Sequence, residues 1–298
     1  MNRRQFNRVL GIGAAASIVM PTAKVLADLA SPAALKSTFK DKDGSQVVST
    51  TSKADLGARS SEHNVAMVVY PGFTALDLIG PNAVLAGLME YKIHLVWKTR
   101  DIVTSDSQVP VQPTMTFAEC PAELDILFIG GGTKGTFALM NDPEVLDFMA
   151  RKAEKARYVT SVCTGSLVLG AAGLLRGYKA TSHWAFRDIL SEFGATPTAE
   201  RVVEDRNRIT GGGVTAGIDF GLVLASRITT PEYAQAVQLS LEYDPQPPFK
   251  GGSPSKSDPA VLKMVNEIYV PVIAEGRNAA AKARERLAKA DPASFAPR

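Results

Sequence analysis

Four short apolar runs punctuate the middle of the chain: NVAMVVY (64–70), IHLVWKT (93–99), LDILFIG (124–130) and YVTSV (158–162). Each has strand length and is rich in β-branched residues, so each predicts a buried strand. Between and after them, apolar residues recur at helical spacing over 77–89, 142–156, 165–175 and 183–193. Strands alternating with helices predict an α/β fold, a mostly parallel sheet covered on both faces. Two more strands are expected at 201–205 and 207–210, followed by a glycine-rich turn and a helix over about 218–227. The predicted domain runs over 64–254, and no internal repeat is visible in it.

The ends of the chain read differently. Arg3 and Arg4, Phe6, an apolar stretch over 9–20 and a small-residue site ending at Ala27 form the pattern of a twin-arginine export signal, which implies a periplasmic protein. The stretch is too short and glycine-rich to span ~30 Å of hydrocarbon. Residues 28–63 are polar and without period, as expected of a linker. A proline-rich exit over 243–254 leads to a C-terminal extension, 255–298, in which 261–290 predict one helix or two, first amphipathic and then alanine-rich and charged. Its expected role is packing on the domain or on a second subunit.

Charge changes the picture once the signal is set aside. The formal charge of +3 includes Arg3, Arg4, Arg8 and Lys24, with no acid among residues 1–27, so the remainder stands at −1. A nearly neutral surface argues against nucleic acid as a partner. A chain of this length needs no disulfide staple, and Cys120 and Cys163 are both read as free thiols.

Cys163 lies where the strand YVTSV meets the small-residue helix TGSLVLGAAGLL. A strand-to-helix elbow projects its side chain from the sheet end, and helix amides there are expected to favour the thiolate, so Cys163 is the candidate nucleophile. Asp77, in the loop after the first strand of the domain, reaches the same C-terminal edge and is the candidate acid, with helix capping as its structural alternative. The glycine clusters GGGT (130–133) and GGGVTAGID (211–219) offer backbone amides for developing negative charge, or simple turns. His183 is expected to make structural hydrogen bonds, and His63 and His94 carry no functional expectation. Three scattered histidines and two distant cysteines show no metal-ligand spacing.

YPGFTALDLIGP, LDILFIGGG, VTSVCTGSLVLGAAGLL, KATSHW and TAGIDFGL together resemble the DJ-1/PfpI superfamily, a class I glutamine amidotransferase-like domain, and within it the isonitrile hydratase branch. The resemblance implies a flavodoxin-like sandwich, a homodimer, Cys163 as nucleophile, and no metal or organic cofactor. Protease, deglycase and stress-protein members typically carry a Glu in the first loop and often a His after the Cys, where this chain has Asp77 and Thr164. The branch then implies hydration of an isonitrile to an N-substituted formamide through a Cys163 thioimidate. Asp77 serves as acid and base, Thr164 hydrogen-bonds water or substrate nitrogen, and the amides of Gly131 and Gly132 border a pocket that Phe73 and Leu76 make apolar. Other readings are a cysteine-dependent protease or glyoxalase/deglycase, and a non-catalytic redox-sensing protein. A regulator of the AraC type is disfavoured, since little chain follows the domain.

Overall fold

A computed structural model describes residues 63–290, together with the backbone of 39–40 and 46–47. The expected export signal, most of the expected linker and 291–298 lie outside the described residues. The chain divides into two units, Met1–Ser52 and Lys53–Arg298. In the first, β1 (Phe39–Lys40) pairs antiparallel with β2 (Gln46–Val47).

The second unit is built on a seven-stranded sheet. Its strands are β3 (His63–Val68), β4 (Tyr91–Trp97), β7 (Met115–Thr116), β8 (Ile126–Ile129), β9 (Tyr158–Val162), β12 (Val202–Asp205) and β13 (Arg208–Gly211). They lie in the order β12-β13-β9-β8-β3-β4-β7, and every neighbouring pair is parallel except β12 with β13. Val65, Met67, Ile126, Phe128 and Val159 are wholly buried, as befits strands covered on both faces. After β3 the chain winds outward through β4 and β7, then returns to the other side of β3 with β8. That reversal opens a crevice at the carboxyl ends of β3 and β8, where open α/β sheets collect ligands.

The helices are α1 (Ala75–Leu85), α2 (Lys134–Leu139), α3 (Pro143–Ala153), α4 (Gly165–Ala171), α5 (Ala216–Ile228), α6 (Pro231–Ser240) and α7 (Pro259–Ala290). The expected strands are all present; the one over 158–162 matches, and the others are shifted by one or two residues at their ends. Short α2 and α6 were not anticipated, nor were the two-stranded pairings of β5 (Val103–Thr104) with β6 (Pro110–Val111) and of β10 (Lys179–Ala180) with β11 (Thr196–Pro197). The helix expected over 183–193 is instead a turn, with Phe186 N–H bonded to His183 O, followed by a 3-10 segment, Arg187–Phe193. Gly194, at φ +71°, ends it in the left-handed region that favours glycine. The C-terminal extension holds one helix rather than two. Among the described residues, no helix is long and apolar enough to cross a membrane.

Candidate active site

Three loops from adjacent strand ends meet in the crevice. Strand β9 delivers Cys163, β8 delivers Gly130–Gly132, and β3 leads through Tyr70 into α1 with Asp77. Cys163 has φ +58°, a left-handed backbone that a side chain rarely adopts. Its neighbours hold it there from both sides. The Cys163 N–H donates to the carbonyls of Gly211 (3.0 Å) and Gly212 (3.1 Å), and the Cys163 carbonyl accepts from Ser166 Oγ (3.1 Å) and Ser182 Oγ (2.9 Å). Backbone strain persists where surrounding bonds over-determine it, and it is concentrated at functional sites. Gly165 lets the elbow close on the sheet, because a Cβ there would run into the Ile129 carbonyl and come within 2.8 Å of the Gly130 carbonyl.

Asp77 does not cap α1, whose N-cap is Thr74. Its carboxyl points back across the crevice, and Oδ2 accepts the Gly131 N–H at 3.0 Å. Gly131 has no room for a side chain, since a Cβ would lie 2.7 Å from Thr164 Oγ1 and 2.8 Å from Asp77 Oδ2. Among the described residues Oδ1 has no hydrogen-bond partner of ordinary geometry, yet the Cys163 thiol lies close enough to act on the carboxyl's titration. Asp77 is fully buried and Cys163 is 5% exposed.

A second chain of polar groups locks the glycine loop. Tyr70 Oη donates to the Gly130 carbonyl (2.9 Å) and contacts Thr136 Oγ1 (3.1 Å), which contacts Thr164 Oγ1 (2.9 Å), which accepts the Gly132 N–H (3.1 Å). Burial raises the Tyr70 phenol well above its ordinary value, so it keeps its single proton. With that proton on Gly130 O, Thr136 donates to Tyr70 and Thr164 donates to Thr136. Two expectations are corrected by this arrangement. The amides of Gly131 and Gly132 are already engaged and are not free to hold developing charge. The Thr164 hydroxyl is likewise already engaged, between Thr136 Oγ1 and the Gly132 amide.

The electrostatics correct a third expectation. Burial, and then the neighbouring Asp77 charge, raise the Cys163 thiol well above its ordinary value and outweigh the Thr164 amide that favours the thiolate. The resting residue is a thiol. Burial likewise raises Asp77 from 3.8 to about 7, while contacts with Cys163 and the Gly131 amide oppose the shift and the Asp106 charge adds to it. Asp106 sits on the loop between β5 and β6, where it accepts from Thr74 Oγ1 at 2.7 Å. Near neutral pH the site therefore contains a proton donor beside a sulfur.

Residues 63–227 match the DJ-1/PfpI family. The chain belongs to that family. Over 207 residues it is 50% identical to an isonitrile hydratase of Pseudomonas putida, covering 70% of this chain and 90% of that protein. It is 30% identical over 142 residues to a deglycase of Thermococcus kodakarensis, covering 47% of this chain and 83% of that protein. A crystal structure of a THiJ/PfpI family protein from Pseudomonas syringae has 47% identity and a TM-score of 0.73, covering 78% of this chain and 97% of that one.

In this DJ-1/PfpI chain, Cys163, Asp77, Thr164, Gly131 and Gly132 come together in one crevice. Phe73 is buried nearby, whereas Leu76 faces outward and is 40% exposed. His183 accepts the Ala185 N–H at Nδ1 (3.3 Å), and burial lowers it to about 4, so it is neutral at pH 7. Cys120 and Cys163 are both free. Among the described residues, no group of three His, Cys, Asp or Glu is placed to share an ion. Sequence reasoning missed Tyr70, Thr136 and Asp106, whose partners in space lie 60, 28 and 32 residues away along the chain. A tyrosine ending an apolar strand was the one available signal among them.

Proposed function

We propose that this DJ-1/PfpI protein hydrates isonitriles to N-substituted formamides at Cys163, with Asp77 moving the protons. The observation that carries the reading is a buried carboxyl, poised to be protonated near neutral pH, set beside the thiol of a strained elbow. The isonitrile terminal carbon is nucleophilic, and it becomes electrophilic once protonated.

Asp77 gives its proton to that carbon. The Cys163 sulfur bonds to the same carbon and passes its own proton to the Asp77 carboxylate, which leaves the thioimidate R–N=CH–S–Cys. Asp77 next protonates the nitrogen and, again a carboxylate, takes a proton from the water whose oxygen adds to carbon. Loss of the hydroxyl proton to sulfur as the C–S bond breaks releases R–NH–CHO and restores both thiol and acid. One oxygen and two hydrogens enter, so the sum is R–NC plus water. No strong oxyanion forms along this route, which agrees with glycine amides that are already engaged; peptide cleavage would need such amides free.

The 50% identity to an isonitrile hydratase supports the same chemistry. The reading places the activity in the periplasm through the Arg3–Arg4 signal and in a homodimer, expectations that cell fractionation and sedimentation test. For the reaction, purified protein is offered cyclohexyl isonitrile with a chelator present, and in parallel methylglyoxal and casein. N-Cyclohexylformamide is the expected product. Lactate from methylglyoxal with no formamide would replace this reading with a glyoxalase one.

A further inference from the structure

The C-terminal helix reaches the Cys163 site. Its second half is fixed to the domain by small residues and by two bonds from one arginine. Ala280 and Ala283 are wholly buried, a Cβ on Gly276 would lie 2.9 Å from Phe137 Cζ, and Arg286 donates to the Met140 carbonyl (3.1 Å) and the Ala171 carbonyl (2.9 Å). Toward its first half, α7 presents Tyr269 to the loop that carries His183 and Trp184. That loop is bound to the elbow. Ser182 Oγ donates to the Cys163 carbonyl, and Gly213 lies so close beneath the His183 ring that any Cβ there would collide with Cδ2. The neighbouring Gly212 carbonyl accepts the Cys163 amide.

On this platform the Tyr269 ring centroid lies 5.5 Å from His183, 5.6 Å from Trp184 and 5.6 Å from Phe186. His183, Trp184 and Tyr269 are half-buried. We propose that Tyr269, His183 and Trp184 form the apolar wall against which the substrate's R group rests, so that α7 sets which substrates reach Cys163. The loop that carries His183 and Trp184 is bonded through Ser182 to the Cys163 backbone. Burial, and after it the Cys163 charge, raise the Tyr269 phenol, and the neutral His183 keeps the wall uncharged. Aromatic faces of this kind favour bulky hydrocarbon groups over charged ones.

The inference rests on Cys163 as the reacting atom, so its test has two arms. In the first, kcat/KM is measured for methyl and cyclohexyl isonitrile on wild type, Tyr269→Phe and Tyr269→Ala. Tyr269→Ala is expected to lose about tenfold on the cyclohexyl substrate and little on the methyl one, the scale of a lost apolar contact, while Tyr269→Phe, which keeps the ring, retains the preference for cyclohexyl over methyl. The second arm needs no turnover. Rates of Cys163 alkylation by N-cyclohexylmaleimide and N-methylmaleimide are compared by peptide mapping, and the cyclohexyl preference should fall by a similar factor in Tyr269→Ala. If Tyr269→Ala unfolds, Tyr269→Leu is read by the same ratios. A maleimide preference lost in the variant, with no isonitrile turnover in wild type, upholds the wall and sinks the hydratase reading. Equal preferences in wild type and variant overturn the wall.

Discussion

Replacing Asp77 with Asn should change how stability depends on pH. The folded carboxyl holds its proton up to about 7, whereas the unfolded one releases it near 3.8. Between those values the folded state binds more protons, so its stability falls as pH rises. The contribution is fully present below about pH 4 and lost by about pH 7. At about 1.4 kcal/mol per pKa unit, this rise corresponds to a penalty of up to about 4 kcal/mol on the ionised form. Asn cannot ionise, and its amide oxygen can still accept the Gly131 N–H. The advantage of Asp77→Asn over wild type should therefore grow by up to about 4 kcal/mol between pH 4 and pH 8, on the order of 10 °C in Tm for a domain of this size. Thermal or urea unfolding of both proteins across that range measures it. Parallel curves would show that Asp77 ionises normally in the fold and would remove the proton donor from the mechanism.

Other substitutions probe the supporting structure. Tyr70→Phe leaves the Gly130 carbonyl and the Thr136 hydroxyl without their partner, so it should cost about 1–3 kcal/mol in urea unfolding; no loss would mean that the threonine chain closes without it. Gly165→Ala drives a Cβ into strand carbonyls that cannot step aside, so it should cost about 1–3 kcal/mol or more and lower activity in parallel; a neutral result would mean that the elbow is looser than described. Asp106→Asn removes a charge that holds Asp77 up. It should move the alkaline limb of the pH–rate profile to lower pH, and an unmoved limb would deny that coupling.

The strands of the domain were legible because β-branched runs of that length have few other uses, and the elbow was legible because the small residues Thr164, Gly165 and Ser166 follow Cys163 directly. What local pattern could not supply was partnership across the crevice. The Gly131 amide looks bare in the sequence and meets Asp77, 54 residues distant, only after β3 and β8 pair. The thiolate expectation for Cys163 followed from the helix N-terminus alone, and burial beside a carboxyl reverses it. The segment 183–193 has helical spacing, but its aromatic residues are held by Tyr269 from far along the chain, and the local backbone tightens into a turn. For the same reason α7 read as packing alone, since Tyr269 meets His183 and Trp184 only once the helix has docked on the domain.

The rate of formamide formation by Cys163→Ala shows whether the Cys163 thiol carries the reaction. Removing one sulfur from a supported backbone leaves the fold intact, which a Tm close to that of wild type confirms. Turnover of cyclohexyl isonitrile is expected to fall to the uncatalysed rate, because the covalent step has lost its nucleophile. Formamide produced by the folded alanine variant at the wild-type rate would contradict that expectation.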